Sequence, residues 1–174
     1  MPIVSRIGSA FAALCLAGVA GLTIASPAQA ASGSNPRGCT FEATLDFAPN
    51  LSLSTSTKHV IGSGRLTHCA DLNGTPNLGG DFRIVGDGPA NCMGQRFTLY
   101  QEIYWNDGGY SIIELTAPSL LGIGIHSGVV LDHAFAGSHV DVVSVPNPGF
   151  LLQCLSLGGV HRVSFAGTEF FVID

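Results

Sequence analysis

The sequence predicts an all-β protein, an antiparallel sandwich or closed barrel of eight to ten short strands held by two disulfides. Three observations lead to this fold class. Apolar and polar residues alternate with a period of two along several segments, which is typical of half-buried strands. Glycine, proline and Asx clusters separate these segments at regular intervals. After residue 30, no segment repeats apolar side chains at helical spacing over three turns.

Residues 1–30 have the pattern of a secretory signal peptide. Arg6 precedes an apolar run from Ile7 to Ile24, and Ala28 and Ala30 form the A-x-A pattern that signal peptidase accepts. The alternative is a membrane anchor, but no basic stop-transfer flank follows the run, and a span needs about 20 apolar residues. We therefore expect cleavage after Ala30, no membrane span after cleavage, and a secreted protein in the extracellular space or cell envelope.

The remaining chain predicts one domain. Residues 31–38 read Ala-Ser-Gly-Ser-Asn-Pro-Arg-Gly, a flexible lead-in without large apolar groups. Residues 39–174 then form a single all-β domain, a length sufficient to bury a core.

The charge of the chain disfavours nucleic acid as a partner. After cleavage, six basic side chains face twelve acidic ones, a net charge of −6 with histidines neutral. Such a surface repels phosphate backbones. Only 11% of residues are charged, so Ser, Thr, Gly and Asn must supply most of the polar surface.

Four cysteines follow the predicted leader, and in an exported chain an even number indicates disulfides. They are Cys39, Cys69, Cys92 and Cys154, and three pairings are possible. We favour Cys39–Cys69 with Cys92–Cys154, because the first pair would lie at the open end of a hairpin that turns near Ser54.

The first half of the domain contains one strongly alternating strand that begins at Thr40 and ends at Ala48-Pro49-Asn50. The Ser/Thr-rich stretch 51–58 predicts an edge strand or an extended loop. The further predictions here are a return strand over 60–69, a loop over 71–80, a short strand over 81–85 and a turn at Gly86-Asp87-Gly88-Pro89.

The second half contains the clearest hairpin, in which strands 96–105 and 110–115 flank Asn106-Asp107-Gly108-Gly109. A second hairpin joins 123–132 to 138–145 around residues 134–137. Strands over 151–157, 160–165 and 169–173 are predicted to complete the sheet.

The histidines suggest a metal site. If residues 134–138 form a turn, His133 and His139 are directly opposed on neighbouring strands, and Asp141 lies on the same face as His139. Two imidazoles and a carboxylate suit zinc or copper with an open position for water. The alternative is a solvated polar face beside a turn, and no H-E-x-x-H motif is present.

Four aromatic residues are concentrated in the clearest hairpin, with Tyr100 and Tyr104 on the face opposite Trp105, and Tyr110 on the second strand. Either face could carry a stacking platform for a sugar or peptide. The alternative is cross-strand packing that stabilises the sheet.

The mature chain resembles small exported β proteins of high-GC Gram-positive bacteria to which no activity is assigned. The resemblance rests on Cys39-Thr40-Phe41, the stretch from Gly62 to Cys69, Trp105-Asn106-Asp107-Gly108, and Phe135-Ala136-Gly137 before the final cysteine. It implies a β fold and secretion, and no active-site residues.

Two functions follow. No G-x-S-x-G run marks a nucleophile elbow, and no cofactor motif is present, so we expect a secreted non-catalytic binding or interaction protein. Its partner would be an extracellular protein, a glycan or a small apolar ligand. The alternative is a small metal-assisted enzyme that uses His133, His139 and Asp141.

Overall fold

A computed structural model describes residues 37–71 and 78–172. The predicted signal peptide, residues 31–36 of the lead-in, part of the predicted loop at 71–80 and Ile173 lie outside these ranges. The described elements are β1 (Arg37–Leu51), β2 (Ser56–Asp71), β3 (Leu78–Ala90), β4 (Gly94–Trp105), β5 (Tyr110–Leu120), β6 (Ile123–His133), β7 (His139–Pro146), α1 (Phe150–Cys154) and β8 (Val160–Val172).

The eight strands form a closed antiparallel barrel in which each strand pairs with its neighbours in chain order. The barrel closes where β1 pairs with β8, for example at Ala43↔Phe165. The all-β class is therefore confirmed, and closure selects the barrel over the sandwich. Alternate residues of each strand face inward, as the period of two requires, so Phe41, Ala43 and Phe47 of β1 lie in the core.

The clearest predicted hairpin is confirmed as β4 and β5, which pair in register from Gly94↔Leu120 to Tyr104↔Tyr110. The turn is stabilised by Asp107, whose Oδ1 accepts a hydrogen bond of 2.8 Å from the Gly109 N–H. Gly108 supplies the positive φ of +88°, which tight hairpin turns demand.

The predicted turn at Gly86-Asp87-Gly88-Pro89 is wrong, because these residues lie within β3. A Cβ at Gly86 would collide with the carbonyl oxygen of Thr98 on β4, so the glycine permits close approach of the neighbouring backbone. The real turn follows at Asn91, whose Oδ1 accepts hydrogen bonds of 2.8 Å from the N–H groups of Met93 and Gly94.

The predicted strand over 151–157 is also wrong, because the chain there forms the short helix α1. Phe150 and Cys154 are buried, and their spacing of four places both on one face of a helix. Leu151, Leu152 and Leu155 are exposed instead, so their apolar character was misleading.

Several predicted boundaries also differ from the structure. β1 continues to Leu51, and residues 52–55 connect it to β2, so 51–58 is neither an edge strand nor one extended loop. β3 begins at Leu78, within the predicted loop. The segments 160–165 and 169–173 belong to one continuous strand, β8, in the described part of the chain.

Packed side chains close both ends of the barrel. Trp105, Phe135 and Phe171 form the aromatic end, with ring centroids 5.4 to 5.7 Å apart. Phe150 of α1 packs with the core at the opposite, helical end. The barrel is thus a filled structure rather than an open tube.

Both predicted disulfides are confirmed. Cys39–Cys69 joins β1 to β2, with the Cα atoms 4.0 Å apart. Cys92–Cys154 joins the β3–β4 turn to α1, with the Cα atoms 5.6 Å apart. The second bridge attaches the helix to the barrel wall.

Loss of the Cys92–Cys154 bridge is expected to cost more stability than loss of Cys39–Cys69, because it spans 62 residues rather than 30. We expect Cys92→Ser/Cys154→Ser to lower the free energy of unfolding by about 4 kcal/mol in the chain-entropy model. Guanidinium denaturation measures this change, with Cys39→Ser/Cys69→Ser as the matched control. A larger loss in the control variant would contradict the prediction.

Candidate functional site

The outer wall of the barrel carries a groove of about 1290 Å³, called here the outer groove. One row of its lining contains one outward position from each of six adjacent strands, β7, β8 and β1 to β4. Each residue is the register partner of the next, in the order Val145, Ala166, Glu42, Arg65, Asp81, Tyr104. The groove therefore runs across the strands, not along them.

Small side chains form part of the groove surface. Thr44 pairs in register with Ser63 on one side and with Ser164 on the other. The Oγ atoms of Thr44 and Ser164 are 3.4 Å apart. Because these side chains are short, the wall is recessed between the Pro146–Pro148 segment and Tyr104, all of which line the groove. The surface offers hydroxyl groups that can donate and accept hydrogen bonds.

Four charged residues line the outer groove, and their charges sum to zero: Glu42, Arg65, Asp81 and Arg83. Arg65 binds Asp81 through two hydrogen bonds, of 2.7 Å from Nε and 3.4 Å from Nη2. The hydrogen bond from Arg65 lowers the pKa of the Asp81 carboxyl. This pair holds two planar charged groups in a fixed orientation at the surface.

The tyrosines of the predicted platform lie on the outer face. Tyr104 lines the outer groove and its ring packs 5.2 Å from Tyr110, which in turn lies 4.9 Å from the ring of His133. The Tyr104 hydroxyl donates a hydrogen bond of 3.1 Å to Glu102. The three rings therefore form one exposed aromatic cluster across β4, β5 and the end of β6.

Tyr100 and Trp105 do not join this cluster. Tyr100 precedes Tyr104 on β4. A hydrogen bond to Glu114 raises the pKa of the Tyr100 hydroxyl. Trp105 is only 4% exposed, and its Nε1 donates a hydrogen bond of 2.8 Å to Ser111. Trp105 thus packs at the aromatic end of the core.

The expected pairing of His133 with His139 is wrong. His139 lies opposite Val129 on β6, whereas His133 pairs with Ser111 on β5. The reason is that the β6–β7 pairing ends at Val129↔His139, and β6 continues beyond it to His133 beside β5 alone. Phe135, in the connection to β7, is buried in the core. His139 Nε2 lies 3.2 Å from Asp141, but the described residues contain no group of three or more potential metal ligands.

A second feature, which the sequence patterns did not predict, is a group of polar side chains inside the barrel. All of them line one internal cavity of about 50 Å³. They are Gln95, Gln101, Ser119, His126, Ser144 and Glu169. We call this set the interior polar cluster.

Glu169 is the most deeply buried titratable residue of this cluster and is 1% exposed. Gln101 donates a hydrogen bond of 3.1 Å to its Oε2. Because β4 and β8 are four strands apart in a ring of eight, this bond crosses the barrel. On another wall, His126 Nε2 lies 3.3 Å from the Ser144 hydroxyl.

Burial shifts both titratable groups of the cluster toward their neutral forms. It raises the pKa of the Glu169 carboxyl to about 7, while the hydrogen bond from Gln101 acts in the opposite direction. Burial also lowers the pKa of His126 to about 4. Within the described lining of the cavity, these two residues are the titratable ones.

The alternation of inward and outward residues along the strands could have revealed this cluster. Glu169 shares the inward face of β8 with Phe165 and Phe171, and Gln101 shares that of β4 with Leu99 and Ile103. A polar residue on an otherwise apolar strand face is the sign of a buried polar group. The resemblance and the turn signals did not point to it.

Comparison with protein-family models, curated proteins and solved structures finds no match to this chain. None of the helices in the described ranges is both long enough and apolar enough to cross a membrane. The function must therefore be argued from the two sites.

The two buried titratable groups are expected to affect the pH dependence of stability in opposite directions. The folded state keeps the Glu169 proton up to about pH 7, whereas an ordinary Glu loses it near 4.5, so stability falls as pH rises through this window. The folded state protonates His126 only near pH 4 rather than 6.5, so stability rises between these values.

Urea denaturation across this pH range tests both assignments. Relative to the wild type, Glu169→Gln should gain stability as pH rises from 4.5 to 7, with a slope of up to about 1.4 kcal/mol per pH unit. His126→Gln should lose stability as pH rises from 4 to 6.5. Parallel pH profiles for both variants and the wild type would show the assignments to be wrong.

Proposed function

We propose that this chain is an extracellular, non-catalytic binding protein whose outer groove holds a neutral oligosaccharide. The observation that carries the proposal is the row of register partners that crosses six strands from Val145 to Tyr104. A continuous groove of this kind suits an extended ligand. Its volume of about 1290 Å³ exceeds the range of about 300–1,000 Å³ that is typical of drug-sized ligands.

The chemistry of the lining favours a sugar. Hydroxyl, guanidinium and carboxylate groups can bind the hydroxyls of a saccharide, and an exposed tyrosine ring can pack against the apolar face of a sugar ring. Because the four lining charges cancel, a neutral ligand is preferred to an anionic polymer.

A peptide partner receives less support from the same features. Peptides commonly bind sheets by adding a strand to a free edge. Here each of the eight described strands is paired on both sides. The ligand must therefore bind through side chains, which suits a hydroxyl-rich molecule.

The two disulfides are consistent with an extracellular location, where a saccharide ligand would be encountered. The resemblance to exported β proteins supports the same proposal. The small interior cavity of about 50 Å³ also favours a surface role over carriage of a large apolar ligand.

Tyr104→Ala is expected to weaken saccharide binding, because Tyr104 closes one end of the outer groove. Isothermal titration with neutral hexasaccharides of glucose, mannose and xylose should identify at least one ligand, and Tyr104→Ala should raise its Kd by about tenfold, or 1.4 kcal/mol.

The matched control is Tyr100→Ala. Tyr100 lies on the same face of β4 and is 43% exposed, compared with 46% for Tyr104, but it does not line the groove. Its replacement should leave the Kd unchanged. Absence of binding to every saccharide, or an equal loss in both variants, would contradict the proposal.

A further inference from the structure

The interior polar cluster contains three polar atoms that have no hydrogen-bond partner within the described residues. They are Gln95 Nε2, Ser119 Oγ and Glu169 Oε1. Leaving a buried polar atom without a partner destabilises a folded protein. An apolar residue at these positions would avoid that cost, so the fold alone does not explain the polar atoms.

All three atoms belong to residues that line the same cavity. Gln95 and Ser119 are direct register partners on β4 and β5, while Glu169 lies on β8, on the far side of the barrel. The remainder of the wall is largely apolar, with Phe41, Phe82 and Phe97 among its members. Two of the three atoms, on Gln95 and Ser119, thus belong to neighbouring residues on one wall of a space that is otherwise largely hydrophobic.

The unpartnered groups are suited to a ligand that accepts hydrogen bonds. Gln95 presents an amide N–H and Ser119 a hydroxyl, both of which donate. A carboxylic acid at Glu169 also donates through its O–H. No lysine or arginine is present in the described lining of the cavity, so an anion would be buried without a counter-charge, which is costly.

We propose that the barrel interior is a second binding site, for a small uncharged molecule with a carbonyl oxygen. The carbonyl accepts hydrogen bonds from Gln95 and Ser119, and its apolar substituents contact the phenylalanine rings. A cavity of about 50 Å³ has room for a few water-sized groups, so the ligand is far smaller than a saccharide. Its polar residues differ from those of the outer groove, although Ala43, Phe82 and Phe165 line both.

The cavity extends toward the helical end of the barrel. Gly122, in the β5–β6 turn, lines it together with Ser119 of β5. Leu121 and Gly122 both have positive φ, of 53° and 81°. The two residues therefore place a tight turn beside the cavity.

The test uses four probes of nearly equal size: acetone, isobutene, acetate and isopropylammonium. NMR titration of the full-length oxidised protein follows the side-chain amide resonances of Gln95 and Gln101. Acetone should shift these resonances saturably and bind at least tenfold more tightly than isobutene. Acetate should not bind. Saturable acetone binding that is stronger than that of the other three probes supports the proposal.

Two variants assign acetone binding to the cluster. Ser119→Ala, which removes one donor with little change of shape, should weaken acetone at least threefold while leaving isobutene unchanged. Glu102→Gln, at a residue on the outward face of β4, is the control and should leave both affinities as in the wild type. Circular dichroism establishes that each variant is folded.

The other outcomes overturn the proposal. Equal affinity for acetone and isobutene would make the cavity a merely apolar void, and stronger binding of isopropylammonium would identify a cation site at Glu169. If no probe shifts the amide resonances at any concentration, the cavity holds water alone.

Discussion

The structure depends on the pairing of β1 with β8, which closes the sheet. These strands are brought together from opposite ends of the described chain and pair in register from Arg37↔Phe171 to Asp46↔Arg162. Closure removes the unpaired strand edges that an open sheet exposes. It also gives every strand one face in the core and one in solvent. Adjacent residues of a strand therefore point to different sites, one inside the barrel and one outside.

This alternation explains how one small sheet supports two unlike surfaces. On β4, Tyr104 faces the outer groove while Gln101 and Trp105 face inward. The outer surface is exposed to solvent, and some of its charged groups are paired, as in Arg65–Asp81. The inner surface is dry, so Glu169 and His126 shift toward neutral forms. The same few strands therefore provide a polar groove on the outside of the barrel and a small cavity on the inside.

Local signals in the sequence were sufficient for local structure. Asn106-Asp107-Gly108-Gly109 identified the β4–β5 hairpin, and the hairpin predicted near Ser54 favoured the correct disulfide pairing. Short sequence motifs gave wrong predictions where contacts between distant segments determine the local structure. Gly86 allows the backbone of β4 to approach closely and does not form a turn. Residues Phe150–Cys154 form a helix because the side chains of Phe150 and Cys154 are both buried. The outer groove depends on the register across six strands, which no single segment encodes.

The direction of the outer groove has a mechanical consequence. Neighbours along its row are far apart in the chain, as with Glu42 and Ala166, so the contact surface exists only while the cylinder is intact. An extended ligand bound in this groove would contact several neighbouring strands at once and hold them together. Bound ligand would oppose the separation of β1 from β8, and the barrel would therefore unfold more slowly with ligand than without it.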